Sequence, residues 1–183
     1  PRQLFENQTV SELARAARTS LASRAEQGRL SGPVPLTPIQ RWFFAERFAD
    51  PHHFNQAVML ETAGPVGFLP LSHAAAALAE HHDALRLRFV EEGGERRQTG
   101  KAEEAEPPLA WIDLTTLPAG RLAETVAAAG AQAQEGFDLA RGPLAHIVHF
   151  DLGAGRGGRL FWVAHHLVVD GVSWRILLED LET

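Results

Sequence analysis

The chain has 183 residues, 45% hydrophobic and 22% charged, and 17 Lys and Arg against 23 Asp and Glu give a formal net charge of −6. That length holds one domain with a real core, or one domain and part of another, and the acidic balance argues against a nucleic-acid partner. The absence of cysteine excludes a disulfide framework and a thiolate site, and with no apolar run near membrane-span length and no signal-peptide pattern the expectation is a soluble, cytoplasmic protein with no membrane partner.

In chain order, Thr9-Val10-Ser11-Glu12 forms a capping-box pattern, followed by a helical stripe of Val10, Leu13, Ala14, Ala17 and Leu21. Residues 26–36 read as a linker, with Gly28, Gly32, Pro33 and Pro35 and no apolar period. Thr37 then suits an N-cap, Pro38 the first helical position and Gln40 the capping-box partner, in a helix expected to turn Ile39, Trp42 and Phe43 to the core. A strand is predicted over Asn55–Glu61, with Phe54, Gln56, Val58 and Leu60 on one face. From about Pro70 a helix groups Leu71, Ala74, Ala75, Leu78 and His82, and ends at His81-His82, where a protonated imidazole suits the helix dipole.

Arg86–Val90 is predicted as a strand with Arg86 and Arg88 on one face and Leu87 and Phe89 on the other. Left exposed, such arginines contribute little; buried, they would matter. Residues 91–108 are polar, with Gly93-Gly94 as a hairpin turn and Glu103–Pro108 as a mobile loop. Trp111–Leu114 reads as a short strand, and the helix from about Pro118 carries the stripe Leu122, Val126, Ala129, Ala133 and Phe137. Ala145–Asp151 and Arg159–His166 read as a hairpin around a glycine-rich loop that lacks the Gly-Lys-Ser/Thr ending of a phosphate cradle. Helices and strands intermix, so the fold class is mixed α/β.

The chemistry concentrates in Val163–Leu178. Leu160, Phe161, Trp162, Val163 and Ala164 leave no polar face, so this strand is expected to be buried on both sides. Alternation puts Trp162, Ala164 and His166 on one face and Phe161, Val163 and His165 on the other, so the two histidines cannot do the same job. His166, at the strand end beside the Asp170-Gly171 turn, is placed to project into a cleft as a general acid or base, while His165 is expected to be held in the interior. Val172–Leu181 has helical spacing with apolar Val172, Ile176 and Leu177. No metal is expected: the pairs His52-His53, His81-His82 and His165-His166 are sequence neighbours whose side chains diverge, and no His-Glu-x-x-His occurs. A serine hydrolase lacks its Gly-x-Ser-x-Gly elbow, and Ser173 sits at a helix start.

His165-His166-Leu167-Val168-Val169-Asp170-Gly171 resembles the His-His-x-x-x-Asp-Gly motif of the condensation-domain superfamily of nonribosomal peptide synthetases. The run Val172-Ser173-Trp174-Arg175-Ile176-Leu177-Leu178 and the opening Pro38-Ile39-Gln40-Arg41-Trp42-Phe43 look more like epimerization domains. His81–Phe89 and Phe137–Leu144 resemble two further family motifs, and Pro1–Ala14 resembles the last helix of a peptidyl carrier domain and its lead-in.

The resemblance implies residues 1–25 as a carrier tail, 26–35 as a linker and 36–183 as the N-terminal lobe of a chloramphenicol acetyltransferase-like domain, one half of a V whose second lobe is absent from this chain. It implies His166 as the catalytic acid/base and His165, Asp170, Gly171 and Arg86 as support, with Arg86 paired to Asp170. Ser173 and Trp174 stand as candidate substrate contacts. The reaction implied is L-to-D inversion at the α-carbon of an aminoacyl or peptidyl thioester. Its tether would be the phosphopantetheine arm of a peptidyl carrier partner, with no cofactor bound directly and a glutamate of the second lobe as the other proton-transfer group. The isolated chain is then expected to be inactive. Two alternatives stand beside this: a condensation domain using the same His166, and a non-catalytic docking domain, which a buried His166 with no cleft would favour.

Overall fold

The computed structural model describes residues 9, 11–12, 28–102, 109–153 and 156–183. Among them the chain runs β1 (Gly32–Val34), α1 (Pro38–Ala45), β2 (Asn55–Thr62), α2 (Phe68–His81), a 3-10 turn (Asp83–Arg86), β3 (Leu87–Glu92), β4 (Glu95–Gly100), β5 (Leu109–Asp113), α3 (Ala119–Glu135), β6 (Ala145–Asp151), β7 (Gly158–His165) and α4 (Gly171–Glu182). The strands form a three-stranded sheet, β1-β4-β3, and a four-stranded sheet, β2-β7-β6-β5. This is the mixed α/β lobe expected from the sequence.

β7 is the spine of the larger sheet, antiparallel to both β2 and β6, while β5 runs parallel to β6 with α3 as the crossover between them. Its apolar run is buried on both faces as its composition requires. On one side Phe161 and Val163 pack with Val148, Phe150, Val126 and Phe137, roofed by the predicted α3 stripe. On the other, Leu160, Trp162 and Ala164 join Leu71, Ala75 and Leu78 of α2, Trp174 and Leu177 of α4, and Phe43 of α1. Each such side chain taken out of water contributes roughly 1.5–3 kcal/mol before the entropy of ordering is charged against it.

The two predicted capping boxes form. Thr37 accepts from the Gln40 amide and Gln40 reaches back to Thr37 N at 2.8 Å. Thr9 and Glu12 bond reciprocally, at 3.1 Å from Thr9 N and 3.2 Å from Glu12 N. The rest of the expected carrier tail, and the Glu103–Pro108 loop, lie outside the described residues.

Four expectations need correction. Gly32–Val34, read as linker, is an edge strand registered on Gln98–Gly100. The three-residue strand is too short to show a period, and β4 decides it. Arg86, read as the start of a strand, ends a 3-10 turn over Asp83–Arg86 instead, and both Arg86 and Arg88 are buried along with Leu87 and Phe89. In α1 the inward pair is Gln40 and Phe43, leaving Ile39 67% and Trp42 47% exposed. In α4 the inward pair is Trp174 and Leu177, leaving Val172 70% exposed and Ile176 with it. Both helices carry more apolar positions than one face holds, and periodicity alone does not choose which face is covered.

Candidate active site

The site assembles where β7, β2 and the start of α4 meet. β7 ends at His165, and the next four residues turn back to α4. Asp170 caps that helix, its Oδ1 accepting from Val172 N at 3.0 Å and from the Ser173 amide and hydroxyl, both at 2.7 Å. These Ser173 bonds, with help from Val172 and from nearby His166, hold the Asp170 carboxyl below its ordinary range. The capped turn fixes where Val169 O points. Gln40 braces the same turn from α1, donating to Leu167 O at 3.3 Å.

The adjacent histidines part company as alternation predicts. His165 is wholly buried, its Nδ1 accepting from Leu167 N at 3.1 Å and its Nε2 donating to Pro51 O at 2.9 Å. Those partners select the Nε2–H tautomer, and burial pushes its pKa down to about 4. His165 is a neutral structural pin between β7 and the loop before β2.

His166 is exposed and stacks on Phe54, ring centroids 5.3 Å apart and planes 15° apart. Its Nδ1 lies 2.8 Å from Val169 O, which only an N–H can satisfy. The lone pair therefore sits on Nε2, 3.2 Å from the carboxamide nitrogen of Gln56. Gln56 is held in turn by Trp174, whose indole N–H donates to Gln56 Oε1 at 3.0 Å. Beside this lies a cleft of about 700 Å³, lined on the apolar side by Val34, Ile39, Trp42 and Val168 and reached by His166 and Ser173. An exposed imidazole with a defined basic nitrogen at an apolar cleft is equipped to move a proton.

The expected support residues are placed as follows. Gly171 opens α4 directly after the capping Asp170, in open space. Arg86 does not pair with Asp170. Its guanidinium bonds Lys101 O at 2.9 Å and Ala79 O at 2.6 Å and forms an ion pair with Asp83, while the Asp170 carboxylate is occupied by its own helix. The 3-10 turn is the reason: it directs Arg86 back under the end of α2 instead of along a strand face. Arg88 bonds Arg141 O at 2.9 Å, and Gly142, at φ +76°, passes so close that a Cβ there would lie 2.2 Å from that guanidinium.

Trp174 does not contact the cleft: it is buried edge-on to Trp162 at 5.4 Å and reaches His166 only through Gln56. Sequence reasoning missed Gln56 as a site residue, although a lone amide on the apolar Phe54–Leu60 face was a visible signal. His82, read as a dipole partner, is bonded to Asp180 of α4 at 2.8 Å, and with His81 these polar atoms gather within 4.8 Å. The pair clamps α2 to α4 away from the cleft. No helix of the described residues is long and apolar enough to cross a membrane.

The model of the family described as "Condensation domain" matches residues 31–183. The chain belongs to the condensation-domain family. Over its whole length this lobe is 49% identical to a linear gramicidin synthase of Brevibacillus parabrevis, of which it spans 4%. It is 45% identical, again over its whole length, to chondramide synthase cmdD of Chondromyces crocatus, of which it spans 5%. Among solved structures it resembles the epimerization domain from the third module of tyrocidine synthetase B, with a TM-score of 0.81 and 39% identity over 88% of this chain and 35% of that one. It shares its fold with the first condensation domain of the calcium-dependent antibiotic synthetase, at a TM-score of 0.71 and 24% identity over 82% of this chain and 36% of that one. A lobe of the condensation-domain family is thus the setting in which His166 must be read.

Proposed function

We propose that this lobe supplies one of the two proton-transfer groups of an epimerization domain. The substrate would be an aminoacyl or peptidyl thioester on the phosphopantetheine arm of a peptidyl carrier domain, for which residues 1–25 are the proposed tail. The observation that carries the reading is His166 itself: exposed at the cleft, with Val169 O fixing the proton on Nδ1 and leaving Nε2 as the base. The likeness to the tyrocidine synthetase epimerization domain supports the choice of reaction.

His166 Nε2 takes the α-proton as the C–H bond breaks, and the electron pair moves onto the thioester carbonyl oxygen as an enolate. A second acid returns a proton to the opposite face and inverts the centre. By the family resemblance that second group is a glutamate of a further lobe. Asp170 acts on the turn rather than as a relay to the imidazole, since its carboxylate is bonded to α4.

The test is solvent deuterium exchange at the α-carbon of a carrier-bound aminoacyl thioester, in the chain extended through a second lobe. His166→Ala is expected to lower exchange by about 10²–10⁴-fold with the fold intact. Exchange that survives the substitution would sink the reading. The match to the condensation-family model favours a second reading, amide formation assisted by the same His166. Amide product on adding an acceptor carrier, with no exchange, would select it. The docking-domain alternative called for a buried His166, and the exposed ring removes that ground.

A further inference from the structure

We propose that Gln56 is a positioning residue for His166, orienting and holding the imidazole as a neutral base through an amide locked by Trp174. This rests on His166 being the proton-transfer group. The argument is one of donor and acceptor inventory. The indole N–H of Trp174 only donates, so the oxygen of the Gln56 carboxamide must face it, at 3.0 Å. The amide nitrogen is then turned the other way, toward His166 Nε2 at 3.2 Å.

The Gln56 N–H opposite Nε2 needs a lone pair there to donate to, and Val169 O opposite Nδ1, at 2.8 Å, needs an N–H there to accept. Together they leave one state without conflict: neutral, Nδ1–H. A proton on Nε2 would face the Gln56 N–H, and flipping the amide to relieve that would strip the buried Trp174 N–H of its acceptor. The Gln56 contact is long and single, so an approaching substrate α-C–H can displace it.

The fold makes this arrangement rigid. Gln56 is paired across β2 and β7 with Ala164, two residues before His166, and Trp174 is packed edge-on against Trp162. Among the described residues, the other titratable groups near the ring are His165, bonded to Pro51 O, and Asp170, whose Oδ1 is bonded to the start of α4 and whose carboxylate also acts on His166 through its charge.

The test uses the same extended, two-lobed chain with a carrier-bound aminoacyl thioester, reading α-hydrogen exchange against pH. Gln56→Leu is expected to lower kcat by about tenfold or more with KM for the carrier substrate little changed, the pattern of a lost positioning contact. Gln56→Glu keeps the shape and the Trp174 bond but puts an acceptor opposite Nε2. It should favour the imidazolium and move the acid limb of the profile to higher pH. Trp174→Phe frees the amide to rotate, and its loss should largely vanish in the Gln56→Leu background because both act through one contact. A wild-type pH profile in Gln56→Glu, or fully additive losses in the double variant, would overturn the proposal while His166→Ala stays dead. Exchange persisting in His166→Ala would overturn the role of His166 and this proposal with it.

Discussion

The two faces of the four-stranded sheet are built from the same β7 residues and come to opposite ends. Beneath α3 the face is closed: Phe161 and Val163 meet Val126, Val148 and Phe150, and the histidines on this face, His146 and His165, pack against Phe137. Toward α1 and α4 the face begins equally apolar at Leu160, Trp162 and Ala164, then gives way at its edge to Gln56, His166 and the cleft. The closed face holds the strand still; the open edge uses that stillness to present one imidazole. The geometry proposed for His166 depends on packing on the opposite side of the sheet.

The sharpest way to break that comparison is to hollow the closed face. Phe161→Ala should cost about 3–5 kcal/mol in denaturant unfolding, since the α3 roof cannot collapse fully onto the gap. If the two faces are mechanically coupled, exchange activity should fall in the variant even below its unfolding transition.

His165 sits at the boundary and gives the next largest effect. Its pKa falls from 6.5 unfolded to about 4 folded, so between those values the unfolded chain binds the additional proton. Stability is then fully present above about pH 6.5 and lost as pH falls toward 4, by up to roughly 3 kcal/mol from this one group. Half-buried His146 and buried His149 shift the same way, by desolvation, and add to the slope. Unfolding free energy measured from pH 7 to 4 should decline, and His165→Gln should flatten that decline; an unchanged slope would mean that His165 is not the group.

At the open edge the expected effect is smallest. Asp170→Ala removes a helix cap and should cost about 1 kcal/mol, whereas Asp170→Asn, which also caps, should cost less. Because Asp170 and Arg86 are not paired, Asp170→Ala and Arg86→Met should be additive within about 0.5 kcal/mol. A large coupling energy would restore the ion pair that the family resemblance implied.

Much of the architecture was legible from residue order. The spans of β2, β6, β7 and α3, the Gly93-Gly94 hairpin turn, the Thr37–Gln40 cap and the division of labour between His165 and His166 all follow from period, capping and alternation, which are local properties of the chain. What only the tertiary structure decided depends on partners distant in sequence. Gly32–Val34 became a strand because β4 offered it an edge. Arg86 turned from Asp170 because a 3-10 turn intervened. Ile39, Trp42, Val172 and Ile176 stayed outward because α1 and α4 have other residues to bury. Gln56 joined the site because pairing with β7 brought it to residues 110 and 118 positions away. A hydrogen bond between side chains that far apart leaves no period in the sequence; only the folded register brings its donor and acceptor together.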